Sequence, residues 1–369
     1  MKATQLLHNL GQSIWPDNIT RELLNTGTLE QYVADLFVTG LTSNPTIFDH
    51  AIKNSTAYDS AIREKLKQGK SGEAVFFELA LEDITRAADI FRPIHDRTNG
   101  VDGWTSLEVS PLLAHDTADT LAAARDLHRR AGRPNLFIKI PGTKEGLPAI
   151  EESIFAGVPI NVTLLFSPEH YIAAAEAFLR GIERRIGAGL NPSVGSVASV
   201  FVSRWDVAAA GKVPEELNNR LGIAVAQLTY KAYRDLLTSP RWQRVYNAGA
   251  RPQRLLWAST GTKDPKASDV LYVKALAAPF TVNTMPEATL KALADHGQLS
   301  TIMAADGGDC ESVLAQFAKV GVNIETLATQ LQDEGAESFV KSWKELMGVI
   351  VSKSDALKEA AYRPEQKGA

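Results

Sequence analysis

Eight short apolar, β-branched runs, each separated from the next by a longer stretch, most constrain what this chain can fold into. They are 12–15 (QSIW), 40–44 (GLTSN), 104–109 (WTSLEV), 136–140 (LFIKI), 159–166 (PINVTLLF), 196–202 (SVASVFV), 254–260 (RLLWAST) and 280–284 (FTVNT). The stretches between them read as helices. Ser167, Pro168 and Glu169 supply an N-cap hydroxyl, a first-turn proline and an acid at the positive end of the dipole, ahead of a helical apolar pattern with a glycine stop. Segments 117–130 and 286–296 read the same way. Repeated strand–helix alternation predicts an α/β protein, a (β/α)8 TIM barrel. The competing open doubly wound sheet usually carries a nucleotide loop after its first strand, and no GxGxxG or GxxxxGK[ST] segment occurs.

A length of 369 residues fits one barrel domain over 1–369. The stretch 47–103 is expected to be a helical insertion after the second strand. Residues 335–369 are expected to form a helix and then a polar C-terminal tail that frays. A net charge of −4 argues against a nucleic-acid partner, which calls for a basic patch. One cysteine, Cys310, excludes an intrachain disulfide and points to the cytoplasm. The N-terminal apolar stretch is too short and broken for a signal peptide, and no run approaches the roughly 18 residues of a membrane span. The seven histidines are scattered, with no local metal-ligand spacing, so neither a metal nor a nucleotide cofactor is expected.

Strand parity then sorts the polar residues, because alternate side chains point to opposite faces. Lys139 shares a face with Phe137, opposite Leu136, Ile138 and Ile140. Glu108 shares one with Ser106, opposite Leu107 and Val109, and Asn161 shares one with Thr163, opposite Ile160, Val162 and Leu164. The apolar sets suit a sheet–helix interface. The polar sets would point into the barrel mouth, where such folds hold catalytic groups. Lysine guarding an edge strand is the bland alternative for Lys139, but a closed barrel has no edge. A buried amine, where loss of water disfavours the ammonium, can instead attack a carbonyl, and the iminium it forms is an electron sink for breaking a carbon–carbon bond. Glu108 is either a structural acceptor or, beside that amine, a proton shuttle, with Thr163 holding a water. Asp17 follows the first run, and on its residues alone reads as an N-cap for the segment NITRELL.

These motifs resemble the transaldolase family. LTSNPTIF (41–48), SLEVSP (106–111), FIKIPGT (137–143), INVTLLFS (160–167), SVFVSRWD (199–206) and LLWASTGTKDP (255–265) occur in the family's order. The wording is similar to the longer bacterial subfamily, some members of which are fused to a phosphoglucose isomerase; no such domain is expected in these 369 residues. The resemblance implies that Lys139 forms the Schiff base and Glu108 is the acid/base group, acting through a water held by Thr163. It implies that Asp17 takes the proton of the C4 hydroxyl, which overrides the N-cap reading. Asn44, Asn161 and Ser199 would hold a dihydroxyacetone unit, and Arg204 would bind phosphate. One departure concerns the second phosphate-binding arginine of many members, which has no counterpart after the seventh strand. Lys263, with Ser259 beside it, is assigned in its place, as a point charge without the guanidinium fork.

The activity implied is transfer of a dihydroxyacetone unit between sugar phosphates in the pentose phosphate pathway, without cofactor or metal, by a monomer or homodimer. The alternatives are a fructose 6-phosphate aldolase-like enzyme that releases the unit, in which a tyrosine replaces Glu108, and a non-catalytic sugar-phosphate-binding barrel. A thiamine-dependent transketolase is disfavoured by the lack of a Gly-Asp-Gly cofactor motif.

Overall fold

The computed structural model describes residues 2–362, so the polar tail expected beyond the last helix lies outside the described residues. The chain begins with α1 (Ala3–Leu10) and β1 (Ser13–Pro16), followed by α2 (Arg21–Asn25), α3 (Thr28–Leu36), α4 (Pro45–Asn54), α5 (Asp59–Lys67) and α6 (Gly72–Arg97). Next come β2 (Thr105–Glu108), α7 (Thr117–Ala131), β3 (Leu136–Pro141), α8 (Gly146–Ala156), β4 (Ile160–Leu165), α9 (Pro168–Gly187) and β5 (Ser196–Phe201). The last part holds α10 (Ser203–Ala209), α11 (Leu221–Thr238), α12 (Pro240–Asn247), β6 (Arg254–Ala258), α13 (Leu271–Ala275), β7 (Val282–Met285), α14 (Glu287–His296), α15 (Cys310–Lys319) and α16 (Ile324–Tyr362). Among the described residues no helix is long and apolar enough to cross a membrane.

The seven strands form one parallel sheet in the order β1-β7-β6-β5-β4-β3-β2. The curled sheet and its helices make the α/β barrel expected from the alternation. The eighth stave, expected at 40–44, is irregular. Val38 bridges Ile14 and Thr42 bridges Asp17 on the β1 side, while the Leu41 N–H donates to Trp104 O at 3.0 Å and Gly103 N–H to Thr39 O at 3.0 Å on the β2 side. The segment therefore spans the gap between β1 and β2 with isolated bonds rather than a ladder. Gly40 makes that approach possible: a Cβ there would lie 2.5 Å from Trp104 O and 2.6 Å from the Trp15 indole nitrogen.

The side-chain periods divide the core in two. Leu107, Val109, Ile138, Ile140, Ile160, Val162, Leu255 and Trp257 pack outward with the helices. Trp15, Trp104, Phe137, Val197, Leu256 and Val282 pack together on the other face, with the Trp104 and Phe137 rings stacked at 4.0 Å. Asp102 accepts hydrogen bonds from Ser13 and from the Trp15 indole, and Arg254 donates to Ser13 and Thr281 O, so the N-terminal end of the barrel is plugged. Leu164 departs from the parity expected of it. Its φ is +58°, the register with β5 shifts between Val162 and Leu165, and Leu164 joins the inner cluster while Leu165 takes the outward place. A bulge of this kind re-aims side chains at a barrel rim.

Residues 47–103 are largely helical, as α4, α5 and α6. The 39-residue α16 packs on α4, α5, α6 and β4. It is fastened at three places. Gln332 donates to Gly142 O and Leu164 O, Thr46 donates to Ser342, and Lys353 donates to Ile52 O and Ser55 O at the C-terminus of α4 and pairs with Asp59 at 2.9 Å.

Candidate active site

A cavity of about 290 Å³ opens at the C-terminal ends of the strands. Its wall includes Asp17, Asn44, Lys139, Thr163, Ser199, Arg204, Ser259 and Lys263, eight of the residues singled out from the sequence. Glu108 and Asn161, the other two, lie directly behind it. Register explains their level: Glu108 pairs with Lys139 across β2 and β3, and Lys139 with Asn161 across β3 and β4. Three inward positions on adjacent strands therefore meet at one height.

Lys139 and Glu108 are 7% and 5% exposed, and the ammonium lies 3.2 Å from a Glu108 oxygen. Among the described residues the carboxylate has no other partner within hydrogen-bonding reach. Burial pushes the Glu108 carboxyl above its ordinary range; the Lys139 charge opposes this and the Asp17 charge adds to it. The Thr163 hydroxyl, two residues along β4 from Asn161, is buried and has no partner among the described residues. Asn161 is held at both ends of its amide, donating to Ser106 Oγ at 3.1 Å and accepting from Ser199 Oγ at 2.7 Å.

Asp17 follows β1, and its carboxylate accepts from Thr42 at 3.2 Å and Asn44 at 3.3 Å. It does not cap a helix. Thr20 caps α2 instead, its hydroxyl accepting from Leu23 N–H at 3.0 Å. Burial raises the Asp17 carboxyl, while Lys139, the two hydrogen bonds and Lys263 pull it back. Asn44 serves twice, since its carbonyl oxygen also accepts from Ile47 N–H as the N-cap of α4.

Arg204 sits in the first turn of α10, just after β5. It makes no hydrogen bond or ion pair to any described residue. Instead its guanidinium lies 5.3 Å from the Phe201 ring centroid and 6.0 Å from that of Phe339. Burial lowers its pKa, opposed by Glu334. Asp206, two residues on, anchors the same helix: it accepts from Leu221 N–H, Gly222 N–H and the Tyr272 hydroxyl. Burial raises the Asp206 carboxyl to about 6 against those three bonds. Across the mouth, Ser259 has a left-handed backbone with φ +56°, its carbonyl accepts from Ser203 N–H, and the two serine hydroxyls are 2.8 Å apart. Strained backbone of this kind gathers at functional sites. Lys263 is exposed on the rim.

The lining thus carries three cationic side chains, Lys139, Arg204 and Lys263, against one carboxyl, Asp17, with Glu108 behind it; burial raises the pKa of both carboxyls. Such a cavity favours an anionic ligand. The buried amine–carboxyl pair at its base can form and hydrolyse an imine, and a second carboxylate stands apart to take a proton. Among the described residues no cluster of three or more histidine, cysteine, aspartate or glutamate side chains is placed to hold a metal.

Sequence reading missed Thr42, Thr46, Phe201, Thr284, Phe339 and Ser342 in the lining. Phe201 had a signal, since parity puts it on the face of Ser199. Phe339 and Ser342 come from α16, where apolar and small residues at helical spacing read as ordinary core.

The description transaldolase/fructose-6-phosphate aldolase belongs to the family model that matches residues 14–350. A protein named transaldolase from Thermobifida fusca (strain YX) is 46% identical over 352 residues, covering 93% of this chain and 96% of its own. Another from Arthrobacter sp. (strain FB24) is 43% identical over 356 residues, with 94% and 96% covered. The chain is also 39% identical over 367 residues to transaldolase 2 of Nostoc punctiforme, with 94% and 96% covered.

Proposed function

The chain belongs to the transaldolase/fructose-6-phosphate aldolase family, and on that premise we propose that it moves a dihydroxyacetone unit between sugar phosphates through a Schiff base on Lys139. The observation that carries this reading is the buried Lys139–Glu108 pair, 3.2 Å apart, beside a cavity bounded by Asp17 and the unpaired guanidinium of Arg204.

The donor is fructose 6-phosphate or sedoheptulose 7-phosphate. Glu108 accepts a proton from Lys139, whose nitrogen attacks the C2 ketone. Glu108 then returns a proton to the departing hydroxyl, through a water held by Thr163, and the iminium forms. Burial raises the pKa of this carboxyl, which makes it a better proton donor partner for the exchange than an exposed carboxylate would be. Asp17 takes the proton of the C4 hydroxyl. The O–H electrons become the carbonyl of the departing aldose phosphate, the C3–C4 bond breaks, and its electron pair is taken up by the iminium as an enamine. Asn44, Asn161 and Ser199 hold the hydroxyls of the three-carbon unit. Erythrose 4-phosphate or glyceraldehyde 3-phosphate then enters and the steps reverse, so the kinetics are ping-pong. Arg204 and Lys263 hold the phosphate. These reactions belong to the non-oxidative pentose phosphate pathway in the cytoplasm, a reducing compartment that suits a chain with one cysteine.

The test is incubation with fructose 6-phosphate and borohydride, followed by peptide mapping. A reduced three-carbon adduct on Lys139 is expected, and sedoheptulose 7-phosphate when erythrose 4-phosphate replaces borohydride. Folded protein with no adduct would leave the non-catalytic barrel standing; release without transfer would favour the aldolase.

The phosphate assignment makes a separate prediction. Arg204→Ala raises KM for fructose 6-phosphate by roughly 10- to 150-fold, the worth of a charge-assisted hydrogen bond of about 1.5–3 kcal/mol. Unphosphorylated fructose, a poor donor throughout, loses far less. Equal losses for both sugars would remove Arg204 from the phosphate site.

A further inference from the structure

Resting on that Schiff-base reading, we infer that Phe339 of α16 is a specificity-determining residue: its ring keeps water off the lysine-bound enamine, and so holds the enzyme to transfer rather than release. The enamine has two fates. Its nucleophilic carbon adds to an acceptor aldehyde, which is transfer. Or that carbon takes a proton from water, which regenerates an iminium; a second water hydrolyses it to free dihydroxyacetone and Lys139, which is release. Both fates follow the same cleavage, so their ratio depends on whether water or an acid O–H reaches the carbon while the acceptor site is empty.

The Phe339 ring centroid lies 5.5 Å from Lys139 Nζ, 6.0 Å from Arg204 Cζ and 6.5 Å from the Phe201 ring. It therefore faces the amine and the guanidinium together, the two ends between which the substrate carbons lie. An aromatic face offers no proton and no anchor for water, and it favours a cation such as an iminium beneath it. Exclusion of water is a recognised way to protect a reactive intermediate.

The helix that carries the ring is fastened on both sides of it, to backbone carbonyls before it and to a side-chain hydroxyl after it. Gln332, two turns before it, donates to Gly142 O and Leu164 O, the latter at the β4 bulge. Ser342, one turn after it, accepts from Thr46 at 3.0 Å. Between them Gly335 lets the helix approach: a Cβ there would lie 3.0 Å from Leu164 Cδ2 and 3.2 Å from Arg204 Nη1. Lys353 ties the helix to the end of α4.

The experiment compares wild type, Phe339→Leu and Phe339→Gln. All three residues suit a helix, and Phe339 is only partly buried, so the fold is expected to survive and a thermal melt checks it. With fructose 6-phosphate, transfer is read as sedoheptulose 7-phosphate formed from erythrose 4-phosphate, and release as free dihydroxyacetone. Phe339→Gln, which brings a water-binding amide to the site, is expected to lower the transfer-to-release ratio on the order of tenfold. Phe339→Leu, shorter but still apolar and with no group that binds water, is expected to hold the ratio within about twofold. An unchanged ratio in Phe339→Gln, or an equal loss in Phe339→Leu, overturns the proposal. Failure of the Schiff-base reading itself would show separately, as no borohydride adduct on Lys139 in the wild type.

Discussion

Lys139→Met is expected to lower kcat by about 10⁶, the size seen when a covalent nucleophile is deleted. Methionine keeps the length of the side chain and cannot form an imine, so borohydride adducts on this residue disappear as well. The substitution also strips Glu108 of its buried cation. Burial and Asp17 then raise the carboxyl without opposition, further above the value it has in the unfolded chain. A carboxyl raised by folding contributes stability that is fully present below its unfolded pKa and is lost as pH rises through the folded one. The variant is therefore expected to match wild type in acid and to fall behind as pH rises, by about 3 kcal/mol where Glu108 must ionise alone. Thermal melts across pH check this; a stability gap independent of pH would mean that the ion pair does not couple the two groups.

Glu108→Gln is expected to lower kcat by roughly 10² to 10⁴, the usual worth of a general acid–base group. Its diagnostic is which step fails. Dihydroxyacetone forms the imine with Lys139 but has no C4 hydroxyl, so borohydride trapping of it reads imine formation alone. Trapping in wild type should weaken as pH falls through the raised pKa of Glu108, because the carboxylate must accept the lysine's proton. That acid limb should vanish in Glu108→Gln and persist in Asp17→Asn. Cleavage of fructose 6-phosphate should suffer in both variants. Equal trapping defects in the two would refute the division of labour between the carboxyls.

Much of this arrangement was legible in strand period. Once β2, β3 and β4 are placed, parity alone puts Glu108, Lys139, Asn161 and Thr163 on the inner face, opposite residues that pack against helices. It failed at Leu164, because a bulge changes the count of residues between one face and the other and no residue type announces it. The stave at 38–42 was hard for a different reason: it bridges both neighbours through isolated bonds, with a glycine chosen for the passage of Trp15 rather than for sheet propensity. Asp17 looked like a cap because aspartate before a helical segment usually is one; Thr20 stands closer to the helix and takes that place. The roof contributed by α16 had a weak signal, small and polar residues at Gly335, Ser338 and Ser342 on a helix face otherwise lined by Trp343, Leu346 and Ile350. Periodicity reports that a helix has an apolar face; it does not report what that face covers.

The placement of α16 also orders events during synthesis. Lys139 and Glu108 are made early, yet the first strand closes only on the last, through Ser13 to Val282, and the roof arrives later still with Phe339 and Ser342. Chains fold as they emerge, N-terminal parts first. A ribosome-bound chain short of β7 thus has its amine and carboxyl on an unclosed sheet, and one short of Gln332 has a barrel without a cover. On the Schiff-base reading, the amine and carboxyl of a nascent chain therefore stay outside a closed chamber until α16 has been made.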